Sequence, residues 1–140
     1  MKMAGKRKHS LTETLIEFVE KETGMKFKVK PQFAKKKPGW VKVDGSGRYW
    51  NVVEAEESRR GVKIRRAVIK APKISGTITA KGKKYPAVQP VIHELAENLY
   101  MQNRLRSVDP RHLREVAREA HQFATRKEKT LTRKFLSRTS

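Results

Sequence analysis

The apolar residues change period twice along this chain, which limits the folds open to it. From Leu11 to Val19 they recur at helical spacing, from Met25 to about Ala80 they alternate with polar residues, and from Val91 onward the helical spacing returns. A run of short strands between helical segments satisfies all three stretches. In the first, Ser10 precedes Glu13 at capping-box spacing, Leu11, Leu15, Ile16 and Val19 share a face, and Gly24 can end the helix, so a helix is predicted over 11–23. Its other face holds Glu13, Glu17, Glu20 and Glu22 against Lys21 alone. That acidic face should lie away from any polyanion and against the chain's own cations.

Five strands are predicted in the middle stretch, carried by "KFKVK", "GWVKV", "RYWNVV", "GVKIRRAVIK" and "KISGTITA". "DGSG" reads as the tight connection between the second and third, because Gly45 and Gly47 can supply positive φ. In "VKIRRAVIK" the alternation loses phase after Arg65, so a bulge or bend is expected near Arg65 and Arg66. The expected fold class is α+β: an N-terminal helix, a small five-stranded antiparallel β barrel or curled sheet of SH3-like or OB-like type, and a C-terminal antiparallel helical pair.

That pair is signalled by two prolines. Pro90 suits a first helical turn ahead of the stripe Val91, Ile92, Leu95, Ala96 and Leu99; Asp109 and Pro110 read as N-cap and first position of a second helix. Leu113, Val116, Ala117, Ala120, Phe123 and Ala124 give it an apolar face that Leu131 and Phe135 extend to about residue 137, with room for a break near Thr130. The expected organisation is a basic tail over 1–9, a helix plus small β domain over 10–85, and a helical hairpin with a basic tail over 86–140, packed as one unit.

Charge points to the partner. Lys and Arg number 34 against 14 Asp and Glu, a formal net charge of +20 on 140 residues. Only 36% of residues are hydrophobic and 34% are charged, against about 45–50% and about 25% in ordinary globular domains. Such a chain has a small core and a surface that calls for a polyanion. The acid-free stretch between Ser58 and His93 contains Arg59, Arg60, Lys63, Arg65, Arg66, Lys70, Lys73, Lys81, Lys83 and Lys84; another, from Met25 to Val43, contains Lys26, Lys28, Lys30, the triplet 35–37 and Lys42. Strand alternation puts Lys26, Lys28 and Lys30 on one face, and Lys63 with Arg65 on one face, as rows suited to tracking phosphates. Arg111, Arg114 and Arg118 line one side of the last helix, and the cluster from Arg126 reads as an extension that orders on a polyanion.

The aromatic residues divide by face. Trp40 shares its side of the strand with Lys42 and Asp44 and is the candidate for stacking on a base, whereas Trp50 shares its side with Val52 and is expected in the core.

Catalytic patterns are absent. There is no cysteine, which excludes disulfides, thiolate nucleophiles and Cys-ligated zinc. His93-Glu94 opens like a zincin motif, but Glu97 stands where the second histidine belongs, and His112 and His121 are nine apart on one helix, so no metal site is expected. Asp44, Glu54 and Glu56 could serve a metal-dependent nuclease, yet the lysine that accompanies such carboxylates in one nuclease class is missing. No cofactor is expected. "MKMAGKRKHS" is followed by no apolar run of signal or transmembrane length, which favours a cytoplasmic, nucleoid-associated or virion-internal setting without a membrane partner.

The function expected is non-enzymatic, largely sequence-independent binding of RNA or DNA within a nucleoprotein assembly, alongside other protein subunits. The contacts would be Lys28, Lys30, Lys42, Arg59, Arg60, Lys63, Arg65, Arg66, Lys81, Lys83, Lys84, Arg111, Arg114 and Arg118 on phosphates, with Trp40 stacking. The alternatives are a helix-turn-helix regulator using the last two helices, a small nuclease, and a capsid or scaffold protein that binds acidic protein surfaces.

Overall fold

The computed structural model describes residues 10–34, 50–70, 76–80 and 82–139. The first helix, α1, spans Leu11–Thr23. Its capping box is formed: the Glu13 N–H donates to Ser10 Oγ at 3.1 Å and the Ser10 N–H to Glu13 Oε1 at 3.0 Å. Gly24 closes the helix at φ 77°, where a Cβ would be strained, and its N–H donates to the Glu20 carbonyl. The buried face is Leu15, Ile16, Phe18 and Val19; Leu11 stays 38% exposed.

The strand predicted over "KFKVK" does not form. Its burial still alternates, with Phe27 and Pro31 inside and Lys26, Lys28 and Lys30 outside. Helix side chains take the backbone bonds a neighbouring strand would have made. The Lys28 and Val29 N–H groups both donate to Gln102 Oε1, at 2.8 and 3.0 Å, and Gln102 Nε2 donates to the Val29 carbonyl at 2.9 Å. Asn103 Nδ2 reaches the Lys26 carbonyl, and the Phe27 N–H reaches Glu20 Oε2.

Three strands then make one open sheet: β1 Gln32–Ala34, β2 Trp50–Ser58 and β3 Gly61–Lys70, in the order β1-β3-β2. β2 and β3 are antiparallel and joined at Arg59-Arg60, whereas β1 runs parallel to β3. The bulge falls where the phase was lost: Glu54 pairs with Arg66 and Ala55 with Ile64, leaving Arg65 as the extra residue. A separate ribbon pairs β4 Thr77–Ala80 with β5 Lys83–Pro86 across Gly82, at φ 77°.

The five-stranded antiparallel barrel is therefore corrected to a three-stranded mixed sheet plus a two-stranded ribbon among the described residues; the α+β class stands. The strand predicted over 39–43 and the "DGSG" turn lie outside those residues. β5 was not foreseen, because "KKYP" has neither the alternation nor the β-branched residues of a strand signal.

Helix α2, Val88–Arg104, has Pro90 in its first turn, and α3, Pro110–Thr139, follows a link over 105–109. Asp109 caps α3, its Oδ1 accepting from the Arg111 N–H at 2.8 Å. α3 continues through Thr130 without a break. The pair is antiparallel, since Tyr100 meets Glu119, Glu97 meets His121 and Gln89 meets Glu128. α2 is the centre of the fold. Its Val91, Ile92, Leu95 and Leu99 share a core with Leu15 and Val19 of α1, Ile69 of β3, and Ala124, Leu131 and Phe135 of α3. Met101, Val116 and Ala120 make a smaller cluster near the link.

Candidate functional site

On β3 the cations are not the uncompensated row that the sequence implies. β2 brings Glu54 and Glu56 opposite β3, so Arg66 Nη1 lies 3.6 Å from Glu54 Oε2 and Arg65 Nη1 lies 3.1 Å from Glu56 Oε2. The stretch is acid-free along the chain but not in space, because antiparallel pairing imports carboxylates from the neighbouring strand. These pairs are about half exposed and hold little energy. They also engage Glu54 and Glu56, the two described carboxylates of the nuclease alternative. Arg59 and Arg60 at the hairpin turn, and Lys63 beyond it, are exposed, as are Lys28, Lys30, Lys83 and Lys84. Trp40, Lys42 and Lys81 lie outside the described residues; Trp50 opens β2 opposite Lys70.

Helix α3 gathers its cations more tightly. At 3.6 residues per turn, Arg111, Arg114, Arg118, Arg126, Lys129 and Arg133 fall within a stripe about 120° wide and about 33 Å long. All six are exposed, and none is ion-paired among the described residues. Glu115 is the one acid within the stripe. The stripe exists because the opposite face, Val116, Ala120, Ala124, Leu131 and Phe135, is buried.

The basic C-terminal residues are not an extension. They are helical, and two of them hold α1: Lys134 Nζ donates to Glu22 Oε1 at 2.7 Å and Arg138 Nη2 to Glu22 Oε2 at 3.3 Å. Arg138 also lies over the Phe18 ring, which meets Phe135 edge-on. The hydrogen bond from Lys134 holds the Glu22 carboxyl below its usual range. Of the four glutamates of α1, Glu22 thus meets the chain's own cations.

Polar groups are buried along α2. Asn51 of β2 donates from Nδ2 to the Glu94 carbonyl at 2.7 Å and to Glu94 Oε1 at 2.9 Å, and its Oδ1 accepts from Asn98 Nδ2 at 2.6 Å. Asn98 Oδ1 in turn accepts from Gln102 Nε2 at 2.8 Å. These four side chains tie the sheet, α2 and the 26–29 segment together, each with its bonds made.

Next to this network, between α2 and α3, lies a histidine–carboxylate cluster. His93 Nδ1 is 2.6 Å from Glu128 Oε1 and His93 Nε2 is 3.3 Å from Glu97 Oε2, while His121 Nδ1 is 3.1 Å from the same Glu97 oxygen. Gln89 Nε2 donates to Glu128 Oε2. Burial alone would lower the pKa of His93, but hydrogen bonds to Glu128 and Glu97 outweigh it and hold the imidazole protonated up to about 10. Burial would likewise raise Glu128, and the His93 hydrogen bond overrides it, leaving that carboxyl below its usual range. Spacing within one helix could not reveal this cluster, because its members come from two antiparallel helices.

Compared with protein-family models, with curated proteins and with solved structures, the chain matches none. Among the described residues, no helix is long and apolar enough to cross a membrane.

Proposed function

We propose that the protein binds nucleic acid through its phosphates, without chemistry of its own, as a structural part of a nucleoprotein assembly. The observation that carries this is the outer face of α3: six exposed cations on one rigid helix, with no carboxylate partner among the described residues. A helix of this length can lie along a groove or across successive phosphates without ordering a flexible segment first. Arg59, Arg60 and Lys63 at the β2–β3 turn, with Lys28, Lys30, Lys83 and Lys84, are further cations for the same backbone. Arg65 and Arg66 contribute less because glutamates already occupy them. Insertion of α3 as a recognition helix has less support, since α2 and α3 are antiparallel rather than crossed at the ~90–120° of a helix-turn-helix.

The test is the salt dependence of binding to a duplex and to a single strand. Six neutralised phosphates give a slope of log affinity on log salt near about −5 on duplex DNA. A triple variant, Arg111→Glu, Arg118→Glu and Lys129→Glu, should lose most of the affinity and roughly half of that slope. A slope near zero for the native chain, or unchanged binding by the triple variant, overturns the reading.

A further inference from the structure

We propose that His93, Glu97 and His121 form a binding site for a divalent metal ion of the zinc class, clipping α2 to α3. Each of the three side chains offers one ligand atom, all within 4.8 Å of one another, and the short contacts run from Glu97 Oε2 to His93 Nε2 and to His121 Nδ1. Zinc binds such atoms at about 2.0–2.2 Å, which places the ligand atoms of a tetrahedral site roughly 3.3–3.5 Å apart. The two separations from the Glu97 oxygen, 3.3 Å to His93 and 3.1 Å to His121, are already close to those edges. The remaining edge closes by a small movement of His121, whose side chain is 61% exposed.

What surrounds the donors is arranged as it is around metal ligands. Glu128 holds Nδ1 of His93 at 2.6 Å, which turns Nε2 toward the other two donors, and Gln89 holds Glu128 in place. Asn51, itself buried, lies 3.4 Å from the other oxygen of Glu97 and leaves Oε2 to face the imidazoles. Such outer partners fix tautomer and orientation in metal sites. Two imidazoles and a carboxylate suit zinc and its late transition-metal neighbours rather than magnesium or calcium, which prefer oxygen alone. A fourth position is left for water. In the metal-free protein, imidazole protons shared with Glu97 hold the same place, and the ion displaces them.

The experiment uses the full chain, stripped with a chelator and titrated with Zn²⁺ and, separately, Mg²⁺. One Zn²⁺ per chain should bind with micromolar or tighter affinity and raise the Tm, and Mg²⁺ should not. His121→Ala should weaken Zn²⁺ more than about tenfold and Glu128→Gln by about tenfold, while His112→Ala leaves it unchanged. His121→Cys gives a direct readout: the chain has no cysteine, so a thiolate-to-metal charge-transfer band with Co²⁺ can come only from position 121. No saturable binding, equal binding of Mg²⁺, affinity unchanged in His121→Ala, or no such band in a folded His121→Cys protein overturns the proposal.

Discussion

Asn51 is the residue on which the interior polar network turns. It donates to Glu94 and accepts from Asn98 while 1% exposed, so an isosteric change to a group that cannot donate is costly. Asn51→Asp places a further carboxylate beside Glu94 and Glu97, and should destabilise the fold by at least about 3 kcal/mol at pH 7, read from urea unfolding. His93 sets a pH dependence. Its folded pKa of about 10 lies above its unfolded value of 6.5, so its contribution is complete below pH 6.5 and lost as pH rises toward 10. Glu128, lowered from 4.5, contributes above that pH and loses its contribution as pH falls. The pair is therefore most stabilising between pH 4.5 and 6.5. Urea midpoints of the metal-free protein should show a loss of roughly 3 kcal/mol between pH 6.5 and 10 that is absent in His93→Gln.

At the scale of elements, α1 was legible because its determinants are local. Ser10, Glu13 and Gly24 act on groups within four residues, and their spacing alone fixed both ends. Ser10→Ala should cost about 1 kcal/mol of stability, measured by thermal or urea unfolding, since it unmakes that cap. The bulge was legible for a similar reason, as a loss of phase at Arg65. The barrel was misread because strand formation depends on a partner. The amides of Lys28 and Val29 found theirs in Gln102, 74 and 73 residues away, and nothing in "KFKVK" announces a glutamine on a helix. The charge pattern failed likewise on β3, where Glu54 and Glu56 arrive by pairing, and held on α3, whose outer face is set by its own period. The histidine cluster joins residues 24 and 35 apart across a turn, beyond any single-helix spacing rule.

At the scale of the molecule, the net charge is +20 and few of the described Lys and Arg are engaged in ion pairs among the described residues, so the folded chain repels itself. Salt should then stabilise the free protein while weakening its complexes. Raising sodium chloride from about 0.01 to about 0.2 M should increase stability by roughly 1 kcal/mol, or about 4 °C in Tm, followed by calorimetry without nucleic acid.

The central place of α2 also has a meaning in time. Its sheet-facing partners, Asn51 and Ile69, are made before it, but Ala124, Leu131 and Phe135 come after it in the chain. A helix forms within about a microsecond, whereas the residues from Leu95 to Phe135 take roughly 2–8 s to synthesise. Until α3 has been made and has folded back along it, the α3-facing side of α2 has no partner, and the core that the two helices share cannot close.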